Sequence, residues 1–193
     1  MALWGITDAD EAKPKWLTTA QKKEVFANNS GWVVEAGSTQ TGNDNTDAQP
    51  EVLCCVGDLA TGIGAADITE IEFITTAFDK SDGGNIDVRV RFNEQVTVDT
   101  SGGTPTLTIT NDTPSRNLTA TYLSGSTTNE LIFRKTIAAA NAATNAGDVL
   151  SIAANAMALA SGTIKDTADG TTNATITSAE SIGTAAGTIT VAA

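Results

Sequence analysis

Apolar and polar residues alternate from residue 86 to residue 133, in four runs that are separated by turn sequences. The apolar positions are Ile86, Val88, Val90 and Phe92, then Leu107 and Ile109, then Leu118, Ala120 and Tyr122, and lastly Leu131 and Phe133. A period of two residues is typical of a strand that buries one face. Because the runs are short and are broken by Gly, Pro, Asn and Ser, the pattern predicts an all-β, antiparallel sandwich.

The same alternation predicts which side chains form the core of the sandwich. We expect the following residues to be buried between its sheets: Val88, Val90, Phe92, Leu107, Ile109, Tyr122, Leu131 and Phe133. In the strand predicted over residues 68–76, Glu70 and Glu72 have the same parity and are expected to share the solvent face. Residues 168–186 are low in hydrophobicity, which predicts an exposed loop.

Residues 1–66 differ in composition from the rest, because all three tryptophans lie there. Thr18 followed by Gln21 is a capping-box arrangement that predicts a short helix, and residues 31–35 and 51–56 have the composition of strands. The apolar periodicity is too sparse for this segment to fold alone. We therefore predict two regions: an N-terminal docking arm or small β segment with little regular structure over residues 1–66, and the sandwich over residues 67–193.

The aromatic side chains of the arm predict contact with another protein, because buried tryptophans are frequent anchors of interfaces. The predicted docking residues are Trp4, Trp16, Phe26 and Trp32. Four of the 11 basic residues are also in the arm, and they suit an acidic partner surface: Lys13, Lys15, Lys22 and Lys23. The alternative is that the tryptophans pack against the sandwich as part of its core.

Charge and composition narrow the classes of function. The formal net charge of −12 repels nucleic acid and anionic membranes, so neither is expected as a partner. Histidine is absent, which removes the commonest general base and zinc ligand, and we expect neither an enzyme nor a cofactor.

Four aspartates in turn sequences are weak candidates for calcium ligands, with ordinary turn formation as the favoured interpretation: Asp79, Asp82, Asp166 and Asp169.

The N-terminal sequence bears on where the protein is made. Residues 1–5 lack the basic start and the apolar core of a secretory signal, and no run is long enough to span a membrane. Thr, Ser, Asn and Gly are nevertheless abundant, as they are in extracellular β proteins. A virion component that is made in a host cytoplasm and later exposed outside the cell satisfies both observations.

Five segments resemble, in their order, the bacterial immunoglobulin-like repeats of large cyanobacterial surface and motility proteins. They are FNEQVTV at 92–98, GTPTLTI at 103–109, ATYLSGS at 120–126, NELIF at 129–133 and LASGTIKD at 159–166. The resemblance covers residues 68–190 and implies an immunoglobulin-like fold for the sandwich. The chain holds one copy where the family has tandem copies, and the family's usual ending, an aspartate followed by Gly-Asn, is altered at residues 166–170.

The N-terminal region resembles a different group, the small virion structural proteins of tailed marine phages, including cyanophages. The similar segments are MALWG at 1–5, KPKWL at 13–17, GWV at 31–33 and EVL at 51–53. The resemblance implies a non-enzymatic head-decoration protein whose arm cements it to the outer surface of the capsid, with the major capsid protein and neighbouring copies of itself as partners. The alternative is a tail, neck or host-attachment protein whose sandwich binds a cell-surface glycan.

Overall fold

A computed structural model describes residues 13–140 and 142–193, and these residues form mostly β-sheet with three short helices. The helices are α1 (Thr19–Lys23), α2 (Leu59–Gly62) and α3 (Glu180–Ala185). The strands of the first half are β1 (Val25–Asn28), β2 (Gly31–Val34), β3 (Glu51–Cys55), β4 (Ile68–Phe73), β5 (Phe78–Asp79) and β6 (Gly84–Asp99). Those of the second half are β7 (Thr106–Asn111), β8 (Leu118–Ser124), β9 (Thr128–Ile137), β10 (Val149–Ser151), β11 (Met157–Ala158), β12 (Thr163–Asp166) and β13 (Ile189–Ala192). The prediction of an all-β protein is confirmed.

Strand β6 organises the sheet, because its 16 residues are enough to pair with different strands at its two ends. Its first half lies between β4 and β9, and both pairings are antiparallel. Its last four residues pair with β12. From β9 the sheet continues through β8 and β7 to β10 and β13, and β13 pairs in parallel with the short β5.

The main hydrophobic core is built from the inward positions of the alternating runs. Seven of the eight residues that we expected there are buried: Val88, Val90, Phe92, Leu107, Ile109, Leu131 and Phe133. Tyr122 is half-buried, with its ring edge-on to Phe133 at a centroid distance of 6.1 Å. Its hydroxyl oxygen accepts a hydrogen bond from the Ser126 N–H at 2.9 Å. Tyr122 therefore lies at the edge of the core, where the phenol keeps a polar partner.

Residues 13–63, which we call the N-terminal unit, fold around a second and smaller hydrophobic core. Strands β1, β2 and β3 form a three-stranded antiparallel sheet. The small core consists of Val25, Ala27, Trp32, Val34, Leu59 and Ile63, none more than 1% exposed. The expectation of little regular structure is wrong for the described residues of this region, whereas the predicted short helix and the strands near residues 31–35 and 51–56 are confirmed.

Burial on both faces explains why these strands lack the period of two. All four residues of β2 and the first three of β1 are buried, so apolar residues follow one another without alternating. Ala27 and Trp32 are a cross-strand pair on the face of the small core. Phe26 and Val33 are the next pair, and they are buried on the opposite face.

The N-terminal unit is continuous with residues 67–193, which we call the sandwich after the fold predicted for them. Ala27 of β1 pairs in parallel with Glu94 of β6, which joins the small sheet to the main one. Along the chain, Ile63 belongs to the small core and Ala66 to the main core. The division of the chain into regions 1–66 and 67–193 stays a prediction.

Two expectations about the surface are wrong, one of them in part. Within the expected loop of residues 168–186, residues 168–179 contain no helix or strand, but Glu180–Ala185 form α3, and Gly183 of this helix is buried. Glu70 is only 8% exposed and does not lie on a solvent face. The reason is that Lys23 of the N-terminal unit and Arg91 of β6 both contact its carboxylate.

Candidate functional site

A closed turn between Pro14 and α1 carries Trp16 on its outer side. The Leu17 N–H donates a hydrogen bond to the Pro14 carbonyl at 3.3 Å. Pro14 is buried and Leu17 packs against the small core, so these neighbours hold the turn against the protein. The Trp16 side chain is 57% exposed, more than any other large hydrophobic residue in the described part of the chain. An indole held at the surface in this way is a typical interface anchor.

Helix α1 follows this turn and is capped at its start. Thr18 Oγ1 accepts a hydrogen bond from the Gln21 N–H at 3.2 Å, and Gln21 Oε1 accepts one from the Thr18 N–H at 2.9 Å. These two bonds complete the predicted capping box. Lys22 and Lys23 lie in the last turn, where positive charge complements the carbonyl end of the helix. The cap therefore fixes the position from which both lysines project.

Two of the other predicted docking aromatics, Trp32 and Phe26, are not at the surface. Trp32 is fully buried in the small core, and Phe26 is 2% exposed. Trp4 lies outside the described residues. For Trp32 or Phe26 to contact a partner, the N-terminal unit would have to open. Among the predicted docking aromatics that the structure describes, Trp16 is therefore the one with an exposed side chain.

A cleft of about 400 Å³ lies between α1, β4 and α3. We call it the lysine cleft, because Lys13, Lys22 and Lys23 line one side of it. Ile182 and Ala185 of α3 supply apolar surface. Hydroxyl groups and one carboxylate complete the lining, from Thr19, Thr69, Ser181 and Glu70. The cleft thus combines positive charge with an aliphatic wall.

The three lysines of the cleft are in different electrostatic states. Lys13 Nζ donates a hydrogen bond to the Lys22 carbonyl at 2.7 Å. Burial lowers the pKa of Lys13 to about 8, although the charges of Glu35 and Glu70 oppose this effect. Lys23 forms an ion pair with Glu70. At neutral pH the Lys13 ammonium is charged and only partly solvated, which is a state that favours an anionic partner.

The buried Arg91 guanidinium links the N-terminal unit to the sandwich. Its Nη1 donates to Glu70 Oε2 at 2.8 Å and to Glu72 Oε1 at 3.2 Å, both on β4. Its Nε donates to Glu130 Oε1 on β9 at 2.7 Å and to Glu35 Oε1 at 3.3 Å. Burial alone would lower the pKa of Arg91, but the carboxylates raise it above its ordinary value. We call these five residues the junction cluster.

Glu35 is the residue that the N-terminal unit contributes to the junction cluster. Its Oε1 also accepts a hydrogen bond from Asn129 Nδ2 at 2.7 Å. Burial and the nearby charge of Glu130 raise the pKa of Glu35 to about 7, against the lowering effects of Arg91 and Asn129. The charge of the junction cluster therefore changes around neutral pH.

A second cleft, also of about 400 Å³, opens beside the junction cluster. We call it the amide cleft, because Gln49, Gln95 and Asn129 line it together with Glu35 and Glu130. Amides supply both donors and acceptors, and carboxylates supply acceptors. A concave site with a few such groups suits a neutral, hydroxyl-rich ligand such as a sugar.

The four aspartates considered as calcium ligands serve local turns or lie in solvent. Asp79 Oδ1 accepts from the Ser81 N–H and hydroxyl at 2.7 Å each, and these bonds lower its pKa. Asp169 caps its own turn, and hydrogen bonds led by the Thr172 hydroxyl lower its pKa to about 2. Burial raises the pKa of Asp166, and Asp82 is exposed. Within residues 13–140 and 142–193, no three His, Cys, Asp or Glu side chains form a group that could hold a metal ion.

Two parts of this surface were not identified from the sequence. Helix α3, which forms a wall of the lysine cleft, has six residues and no apolar periodicity. The junction cluster did leave a signal, because acids alternate on β4 and arginines alternate on β6. Glu70 is the cross-strand partner of Arg91, and Glu72 of Arg89. Opposite charges at such spacing favour antiparallel pairing.

No protein-family model, no curated protein and no solved structure matches this chain. Within the described residues, no helix is both long enough and apolar enough to cross a membrane. The resemblances to bacterial immunoglobulin-like repeats and to phage virion proteins therefore stay predictions. Function has to be argued from the surfaces of this protein.

Proposed function

We propose that this protein is a non-enzymatic structural component of a tailed-phage virion, and that it decorates or cements the outer surface of the capsid through its N-terminal unit. The observation that carries the proposal is the exposed Trp16, which is held on a closed turn. A rigid aromatic side chain provides a large contact area at a low cost in conformational entropy. Covering it with a partner surface is therefore favourable.

The distribution of charge supports docking at the same end. The chain has a net charge of −12, yet residues 13–23, which include Trp16, hold four of its 11 basic residues and no acidic residue. A positive region on an acidic molecule steers an acidic partner to that region, while the remaining surface repels it. The proposed partners are the major capsid protein and neighbouring copies of this chain.

We also propose that residues 67–193 form an immunoglobulin-like sandwich that projects away from the capsid. The antiparallel order β6–β9–β8–β7 and the alternating burial along these strands support this fold. The outward positions of β8 include Thr119 and Thr121, which are exposed. A threonine-rich outer face tolerates solvent, as a projecting domain requires.

Copy number tests the proposed placement. The particles that contain this protein are purified, and the stained-gel intensity of the chain is compared with that of the major capsid protein. A decoration protein is expected at a copy number proportional to the number of capsid subunits. A few copies per particle would contradict decoration and would instead place the protein in the tail or neck.

A second candidate function is favoured by the amide cleft, whose lining suits a host cell-surface glycan. In that case the protein would be a tail, neck or host-attachment component. Titration of soluble host polysaccharide, followed by thermal shift, tests this candidate. Gln49→Ala is the informative variant, because Gln49 is exposed and lines the cleft. A stabilisation that Gln49→Ala abolishes would support glycan binding, and no stabilisation of the unsubstituted chain would exclude it for that polysaccharide.

A further inference from the structure

We infer that the lysine cleft binds an acidic segment of a partner polypeptide, with a carboxylate at the Lys13 and Lys22 side and aliphatic atoms against Ile182 and Ala185. The inference rests on the proposed function, because it names the chemistry of the partner at the docking end. It concerns a different surface from Trp16, and it can therefore be tested separately.

The shape of the cleft is the first argument. Its volume of about 400 Å³ lies within the range of ligand-binding pockets and accommodates a few side chains. One wall comes from the N-terminal unit and the other from α3 and β4 of the sandwich. The site therefore requires the two regions to be assembled.

The hydrogen-bonding capacity of the lysines is the second argument. An ammonium group has three donors. Within the described residues, Lys13 Nζ uses one of them, on the Lys22 carbonyl, and no bond or ion pair is formed by Lys22 Nζ. Glu70 is the acid of the cleft, and its two oxygens are engaged by Lys23 and Arg91. Among the described residues that line the cleft, positive charge thus exceeds negative charge, and these residues leave donors of Lys13 and Lys22 for a ligand.

The composition of the lining selects the class of ligand. Ile182 and Ala185 offer aliphatic surface that a bare inorganic anion does not use, whereas the methylene groups of a Glu side chain do. An acidic polypeptide segment satisfies both the charge and the apolar wall.

A capped hexaglutamate peptide is the probe, titrated by calorimetry into the full-length chain. Lys22→Gln removes one charge from the cleft, and Ala185→Phe fills the cleft without changing its charge. Lys15→Gln is the matched control, because Lys15 is an exposed lysine that does not line the cleft. We expect each cleft variant to weaken binding by at least about tenfold, and Lys15→Gln to leave binding within about twofold. Thermal midpoints by circular dichroism verify that each variant is folded.

Three results would overturn the inference. The first is a loss of hexaglutamate affinity in Lys15→Gln equal to that in the cleft variants. The second is binding of a capped hexaglutamine peptide with the same affinity as hexaglutamate. The third is tighter binding of inorganic phosphate than of hexaglutamate. Sedimentation with virion heads is measured in parallel. If the chain binds virion heads but not hexaglutamate, this inference is wrong and the proposed function stands. If the chain binds hexaglutamate but not virion heads, the proposed function is wrong and the cleft remains a peptide site.

Discussion

The sandwich and the N-terminal unit both bury apolar side chains, but in different ways. In the sandwich, buried residues alternate with outward ones along long strands such as β6 and β9. In the N-terminal unit, β2 is buried at every position, and Trp32 fills a core of six residues. The sandwich is stabilised by the apolar area that it buries. The stability of the N-terminal unit depends instead on what covers the face of its sheet opposite the small core.

The contact between the two regions includes a buried network of charged side chains. The junction cluster places Glu35 of the N-terminal unit and Glu70, Glu72 and Glu130 of the sandwich around Arg91. Removal of one member of a buried ion pair leaves a charge without compensation, which is more damaging than the loss of a surface pair. The comparison indicates that the sandwich sets the overall stability, while the junction cluster sets the attachment of the N-terminal unit.

The largest effect is expected from Phe133→Ala in the main core. Phe133 is fully buried and contacts Tyr122, so its truncation should lower the free energy of unfolding by about 3–5 kcal/mol. Urea unfolding should show this loss both by circular dichroism and by tryptophan fluorescence, because the N-terminal unit rests on the sandwich. Leu123→Ala, at an exposed position on β8, is the matched control and should have little effect.

A smaller and more local effect is expected from Arg91→Met. Loss of the shared guanidinium should cost about 3 kcal/mol, mostly in the attachment of the N-terminal unit. All three tryptophans lie in residues 1–66, so fluorescence should change at a lower urea concentration than circular dichroism. Arg89→Met is the matched control, because the Arg89 side chain is 27% exposed and its ion pairs should contribute about 1 kcal/mol or less.

Coincident transitions in Arg91→Met would contradict the separate attachment of the docking end. The two regions would then unfold as one cooperative unit, and the polar junction would not differ in role from the main core. An equal loss of stability in Arg89→Met would show that the burial of Arg91 does not determine how much its ion pairs contribute to stability.

The smallest effect is expected from Glu35→Gln, and it depends on pH. The folded pKa of Glu35 is about 7, above its ordinary value of 4.5, so between these values the folded state binds more protons than the unfolded chain. The stability from this group is complete below pH 4.5 and is lost as pH rises through 7. Glu35→Gln keeps an oxygen for Arg91 and Asn129, and should remove this pH dependence, which amounts to at most about 3 kcal/mol.

The measurement for Glu35→Gln is the free energy of unfolding between pH 4.5 and 8, with tryptophan fluorescence as the probe. Lys13 does not interfere over most of this range, because its pKa is about 8 in the folded protein. The variant should gain stability relative to the unsubstituted chain as pH rises. Parallel curves for the two proteins would show that Glu35 has an ordinary pKa.

The sequence predicted most of the strands in the sandwich, because one solvent-exposed face leaves a period of two. Val88, Val90 and Phe92 could be assigned to the core from spacing alone. The capping box at Thr18 was equally local, since both of its hydrogen bonds join residues three apart. Where structure depends on short-range rules, the sequence was sufficient.

The lysine cleft and the junction cluster could not be predicted in the same way. Lys23 and Glu70 are 47 positions apart, and Glu35 and Asn129 are 94 apart. Their contacts exist only because the N-terminal unit packs on β4 and β9. Trp32 is buried in the small core inside the N-terminal unit, whereas Trp16 is 57% exposed. No local pattern distinguishes the two tryptophans.

The central claim is that the N-terminal unit, and not the sandwich, is the docking end. The direct measurement is sedimentation of the full-length chain with virion heads that lack it, comparing Trp16→Ser with Leu123→Ser. Both residues are large, apolar and about half exposed, one in each region. We predict that Trp16→Ser weakens binding by at least about tenfold, as for an interface hot spot, while Leu123→Ser leaves it unchanged. Loss of binding in Leu123→Ser with full binding in Trp16→Ser would contradict the account.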